Sequence, residues 1–173
     1  MSELPLSKRP ETALEIQEAE VALEQAASLA LGRMLMAFSS MEMELGLALV
    51  WVNEGKELEA RTAKLDQSNF HTKLEELRKH LDQRDRSDEV VKKLSAWMEK
   101  AHALRGIRNE LVHGRWGIAA VEGVVVNVIG LPTSPEQRST RYRIADLDRI
   151  VEDIHHLRGE LSKLRKRWPI RRR

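Results

Sequence analysis

The sequence predicts a mainly α-helical fold, an up-and-down bundle of four to five helices with a small β-hairpin insertion before the last helix. Apolar residues recur at three- and four-residue spacing along most of the 173-residue chain, as they do on one face of an α helix. Aromatic residues make up 4% of the chain, so Leu, Ala, Met and Val are expected to fill the core. Residues 116–144 depart from this pattern, being rich in β-branched and turn-forming residues.

The helical spacing predicts five helices. The first spans residues 11–51, with Gly32 as a point where it kinks or divides, and the next two span residues 57–65 and 69–81. The fourth begins at an N-cap, Ser87, and runs to residue 112, followed by Gly114 in a left-handed C-cap. The fifth spans residues 146–166. The face of the first helix that we expect to be buried carries Leu31, Leu35, Phe38, Leu45, Leu49 and Val52.

Short strands are predicted over residues 116–120 and 124–129, with a third over 141–144. The chain is then a single helical domain over residues 1–162, with the hairpin at about 116–144. Residues 163–173 form a basic C-terminal tail.

The composition excludes several classes of function. There is no cysteine, which excludes disulfides, thiolate metal sites and cysteine nucleophiles. The first ten residues contain no apolar signal core. The most hydrophobic run, residues 29–52, is interrupted by Arg33, Glu42 and Glu44, which favours a buried helix over a membrane span. We therefore expect a cytoplasmic protein with no membrane partner.

The basic residues are concentrated at the C-terminus. Residues 163–173 hold seven of the 29 basic residues and no acidic one, which leaves 22 basic and 27 acidic residues elsewhere. A basic segment with one aromatic residue can bind RNA phosphates and stack a base, although such termini are also common as solvated ends. The residues concerned are Lys163, Arg165, Lys166, Arg167 and Trp168.

The end of the fourth helix carries the most informative residues. Arg108 falls on the apolar stripe of that helix, where an arginine requires a partner or an anionic ligand. Glu42, on the apolar stripe of the first helix, is the best candidate for that partner. His113 follows at the helix end, where it either caps the helix or transfers protons. Arg105 and Arg115 flank the segment as possible RNA contacts.

Arg108-Asn109, followed after three residues by His113, resembles the motif of the HEPN superfamily: an arginine, a polar residue, a few further residues and a histidine. Residues 38–45 are similar to the first core helix of that family. The hairpin after His113-Gly114 resembles a bacterial branch of it. The likeness covers most of residues 30–162. One toxin subgroup has a tyrosine two residues after the histidine; Arg115 stands there in this chain.

This resemblance implies a metal-independent endoribonuclease, and such enzymes of the family often belong to toxin or defence systems. It also implies a homodimer in which two motifs face one cleft, RNA as the substrate and no cofactor, with an antitoxin or another protein as a candidate partner. His113 would be the acid–base group, Arg108 would bind the phosphate, and Asn109 would be a polar contact that orients the His113 ring or binds a phosphate oxygen. Other family members have kept the fold and lost activity. A non-catalytic module that binds RNA or protein is therefore the alternative.

The spacing of glutamate and histidine residues was also considered as a sign of a metal site. Three Glu-x-x-His pairs occur, at Glu99, Glu110 and Glu152, and this spacing is found in di-iron helical bundles. At about 100° per residue, Glu99 and Glu152 point away from the apolar stripes of their helices and toward water. We therefore expect no metal.

Overall fold

The computed structural model describes residues 9–167. This part of the chain is mainly helical, with five α helices and a three-stranded antiparallel sheet before the last helix. The helices are α1 (Ala13–Val50), α2 (Leu58–Asp66), α3 (Phe70–Asp82), α4 (Glu89–His113) and α5 (Ile144–Arg165). The strands are β1 (Arg115–Ala119), β2 (Val124–Ile129) and β3 (Arg138–Tyr142). The prediction of a mainly helical chain with strands before the last helix is confirmed, and β3 begins three residues earlier than expected.

The chain divides into two compact units. Of the described residues, the first contains 9–35 and 108–151, and the second contains 36–107 and 152–167. Helices α1, α4 and α5 each contribute residues to both units. The sheet, the end of α4 and the start of α5 belong to the first unit. Helices α2 and α3, most of α4 and the end of α5 belong to the second.

Helix α1 begins at a reciprocal cap. The Thr12 hydroxyl accepts a hydrogen bond from the Glu15 amide at 3.2 Å, and the Glu15 carboxylate accepts one from the Thr12 amide at 2.9 Å. The helix then continues through Gly32 without division, and a Cβ atom added there would meet nothing within 4 Å. Its buried face includes Met34, Phe38, Met41 and Leu45. The predicted burial of Leu35 is wrong, since Met34 takes the inward position and turns its neighbour outward.

The two glutamates in the apolar run of α1 are both ion-paired within the second unit. Glu42 accepts a hydrogen bond from Lys73 of α3 at 2.9 Å, and Glu44 accepts one from Arg158 of α5 at 2.6 Å. Pairing offsets the cost of removing these charges from water, so the helix tolerates them among apolar neighbours. By length and composition alone α1 could cross a membrane, as the core helix of a soluble protein also could. The absence of a membrane partner stays a prediction.

The second unit packs around Trp97 of α4, which is 1% exposed. Its indole Nε1 donates a hydrogen bond to the Leu157 carbonyl of α5 at 2.8 Å. Phe38 of α1 and Phe70 of α3 meet edge to face, with ring centroids 4.7 Å apart. These contacts join α1 to α3 and α4 to α5 by directional as well as hydrophobic interactions.

The start of α4 differs from the prediction by one residue. The Asp88 carboxylate, not Ser87, accepts the hydrogen bond from the Val90 amide, at 2.7 Å. Ser87 instead donates its hydroxyl to Asp85 at 2.8 Å. Both residue types are good N-caps, and the Asp85–Ser87 interaction in the preceding turn decides between them.

Candidate functional site at the end of helix α4

Helix α4 passes into strand β1 with one residue between them. His113 is the last helical residue, Gly114 follows, and Arg115 begins the strand. The Gly114 amide still donates to the Glu110 carbonyl, at 2.9 Å. The left-handed cap predicted for Gly114 is wrong, because positive φ values among the described glycines occur at Gly55, Gly123 and Gly130.

Close packing accounts for the glycine at position 114. A Cβ atom added there would overlap the side-chain amide of Asn127, which lies on β2. Asn127 is 2% exposed, and its Nδ2 atom has no hydrogen-bond partner among residues 9–167. Asn127 was not among the residues predicted from the sequence. An asparagine among the valines of β2 is the feature that could have revealed it.

Trp116 attaches strand β1 to the end of the helix. Its indole Nε1 donates to the Leu111 carbonyl at 3.0 Å, so it satisfies a carbonyl in the last turn of α4. Its ring also lies beside Tyr142 of β3, with centroids 6.0 Å apart. Trp116, Asn127 and Thr140 stand opposite one another in the strand register, so one face of the sheet presents all three.

Arg108 and Asn109 interact with each other. The Arg108 Nη1 atom donates to Asn109 Oδ1 at 3.1 Å, and both residues are half-buried. From the sequence, Asn109 was expected to orient the His113 ring or to bind a phosphate oxygen. Its amide oxygen instead accepts from Arg108, which limits the directions in which the guanidinium can point.

His113 faces solvent. Its side chain is exposed and forms no hydrogen bond or ion pair with any residue in the described part of the chain. Both imidazole nitrogens are therefore available to a ligand, while the backbone on either side is held by α4 and β1. Such a histidine can accept or donate a proton at a bound substrate.

Glu110 and Tyr142 form the polar flank of this site. Burial raises the pKa of the Tyr142 hydroxyl above its usual value, and the negative charge of Glu110 raises it further. A hydrogen bond from Thr140 acts in the opposite direction. Glu110 also lies 3.5 Å from the Arg138 guanidinium, in an exposed ion pair.

Glu42, predicted to support Arg108, has Lys73 as its ion-pair partner. Lys73 is 9% exposed and shares the buried face of α3 with Phe70, Leu74 and Leu77. A cation on an apolar stripe was the observation that singled out Arg108. The same observation would have found Lys73. The supporting role of Glu42 toward Arg108 stays a prediction.

The other residues predicted to contact RNA differ in their surroundings. Arg105 is half-buried, with its Nε atom buried and without a hydrogen-bond partner in residues 9–167. Arg115 is exposed and donates to the Gly130 carbonyl at 3.2 Å. Lys163 and Arg165 lie in the last turn of α5, and Lys166 and Arg167 follow it, all four exposed. Trp168 lies outside the described residues.

The described residues bring together no group of three His, Asp or Glu side chains that could hold a metal ion. Comparisons of the chain with family models, with curated proteins and with solved structures found no match.

Proposed function

We propose that this chain is a HEPN-like up-and-down helical bundle that cleaves RNA without a metal ion, in a cleft shared by two copies. The observation that carries the proposal is the position of His113. Its imidazole is exposed and available, while its backbone is fixed between α4 and β1. A general acid–base group needs both properties, because it must reach the substrate and must reach it in one geometry.

In the proposed reaction a histidine removes the proton of a ribose 2′-hydroxyl, and that oxygen attacks the adjacent phosphorus. The bond from phosphorus to the 5′-oxygen breaks, and a second acid protonates the leaving oxygen. The products carry a 2′,3′-cyclic phosphate and a 5′-hydroxyl. Arg108 would stabilise the charge on the phosphate oxygens, and Asn109 would orient its guanidinium through their hydrogen bond.

Two copies are needed because acid and base act on opposite sides of the phosphorus, and one chain offers one motif histidine. A second copy supplies the other His113 under two-fold symmetry. Exposed apolar side chains on α1 support self-association. Met36 is 75% exposed and Met43 is 58% exposed, and Leu47 lies one turn further along the same helix face. RNA as the ligand, a neutralising protein partner and a cytoplasmic location are predictions from the sequence.

The test is RNA cleavage in excess EDTA by the wild type and by two histidine variants. His113→Ala should lose at least about 100-fold in rate, the usual contribution of a general acid–base group. His155→Ala is the matched control, since His155 is an exposed helical histidine outside the motif. End analysis should show cyclic phosphate products, and sedimentation at micromolar concentration should show a dimer.

Cleavage that persists in His113→Ala, or that requires a divalent ion, would contradict the proposal. A monomer in sedimentation would remove the shared cleft.

One observation favours the alternative of a non-catalytic RNA-binding or interaction module: Arg108 is half-buried and donates a hydrogen bond to Asn109, as a structural arginine would. RNA binding without cleavage by either the wild type or His113→Ala would support it.

A further inference from the structure

A basic cleft lies between α4 and α5 in the second unit. Its volume is about 540 Å³. From α4 it is lined by Lys93, Ala96, Trp97 and Lys100, and from the end of α5 and beyond by Glu160, Lys163, Leu164 and Arg167. The spacing of three and four residues places each set on one face of its helix.

The cleft concentrates positive charge. Of the 29 basic and 27 acidic residues in the chain, four basic and one acidic line the cleft, which leaves 25 and 26 elsewhere. The five lining charges sum to a net +3, whereas the rest of the chain is close to neutral. The cleft therefore carries a local excess of positive charge.

Most of these cations are available to a ligand. The one carboxylate, Glu160, is shared by Lys100 at 3.2 Å and His156 at 3.2 Å. Lys93, Lys163 and Arg167 form no ion pair with any residue from 9 to 167. They stand on both walls of the cleft, so an anion between the walls would meet a cation on each side.

The floor between the charged walls is apolar and fixed. Trp97 is held by its hydrogen bond to Leu157, and its 1% exposure leaves no face on which a base could stack. Ala96 presents a small side chain next to it, and Leu164 is half-buried. A ligand with anionic groups joined by less polar segments fits this arrangement, because the charges lie at the walls and the apolar surface between them.

We propose that the basic cleft binds the sugar–phosphate backbone of single-stranded RNA. Phosphates would lie against Lys93, Lys163 and Arg167, and the riboses would cross the floor. Binding would be independent of base sequence, because contacts to phosphates and sugars carry no sequence information. This inference rests on the proposed function for the choice of RNA as ligand, and it adds lysines of α4 that no motif indicates.

The experiment measures binding of a labelled oligouridine to the full chain by fluorescence anisotropy at several salt concentrations. The double variant Lys93→Ala/Lys163→Ala removes one cation from each wall. Each lost phosphate contact with single-stranded RNA should reduce the salt slope by about 0.7, or about 1.4 in total. At about 0.1 M salt this corresponds to roughly 25-fold weaker binding. Lys56→Ala/Lys79→Ala is the control with the same change in charge, at exposed sites outside the cleft.

An unchanged slope and affinity in the cleft variant would overturn the inference, as would equal losses in the control. Tight binding to anionic lipid vesicles with no binding to oligouridine would also overturn it. The proposed function is tested separately: His113→Ala should bind oligouridine as the wild type does. A wild type that binds RNA through the cleft and cuts none leaves the inference intact and refutes the nuclease.

Discussion

The charged side chains at the end of α4 and those in the basic cleft differ in burial and in pairing. At the end of α4, Arg108 is half-buried and its guanidinium donates to a neighbouring amide, while one imidazole faces solvent. In the basic cleft, Lys93, Lys163 and Arg167 are exposed, and no carboxylate of residues 9–167 pairs with them. The arrangement at the end of α4 restricts the direction of the Arg108 guanidinium, and the arrangement in the cleft leaves several positive charges accessible to solvent. We infer that the first region suits chemistry at one bond and the second suits retention of a polyanion.

The largest expected effect is on Arg108. Arg108→Lys keeps the positive charge but removes the planar guanidinium, which can bind two phosphate oxygens at once. It also removes the hydrogen bond by which Asn109 orients that group. The cleavage rate should fall about 100-fold, the usual cost of losing one directed donor. Oligouridine affinity should change little, because the basic cleft is intact. Rates and affinities measured on the same preparation give both values.

The unfolding midpoint in urea serves as the control for Arg108→Lys. A variant that cleaves at the wild-type rate would show that charge alone matters at the end of α4. The contrast between the two regions would then be lost.

The next effect concerns Gly114. In Gly114→Ala the added methyl group overlaps the Asn127 amide, so we expect a loss of about 1–3 kcal/mol in the free energy of unfolding. Gly106→Ala is the matched control, since Gly106 is an exposed glycine within α4 with nothing near its Cβ position. It should gain up to about 1 kcal/mol from helix propensity. Urea unfolding followed by circular dichroism measures both.

A second substitution tests the cause. Asn127→Ala should reduce the penalty of Gly114→Ala when the two are combined, since the overlapping group is gone. If the losses in the free energy of unfolding are additive in the double variant, the strain in Gly114→Ala does not come from overlap with Asn127.

The sequence predicted the fold class because periodicity reports which faces of the helices are buried. It also led to the prediction that Arg108 and His113 belong to a catalytic site, and this stays a prediction. It failed at Gly114, where glycine indicated a left-handed turn and the cause was a side chain 13 residues away in β2. It also missed the Glu42–Lys73 ion pair: Lys73 lies on the apolar stripe of α3, as Arg108 does on that of α4, but its partner lies on another helix. Both failures involve contacts between distant segments, which local patterns do not encode.

The smallest effect is on the ionisation of Tyr142, the one tyrosine of the chain. Glu110→Gln removes a negative charge that raises the tyrosine pKa, so the pKa should fall but remain above its usual value, because burial is the larger cause. Thr140→Val should shift it upward, since it removes the opposing hydrogen bond. Ultraviolet titration of tyrosinate follows both shifts.

The raised pKa of Tyr142 also determines how the stability of the protein changes with pH. Folded protein keeps the phenol proton at pH values where unfolded chains have released it, so the free energy of unfolding should decrease as the pH rises above about 10. A pKa that moves upward in Glu110→Gln would show that Glu110 and Tyr142 are not neighbours in solution.

The short junction between α4 and β1 limits how His113 can move. One residue separates a helix from a strand, so the main chain at His113 cannot swing as a loop or hinge does. Its imidazole can still turn about two side-chain bonds, and exposed side chains do so within picoseconds to nanoseconds. In the proposed nuclease, closure of a lid formed by this segment would therefore not be the slow step.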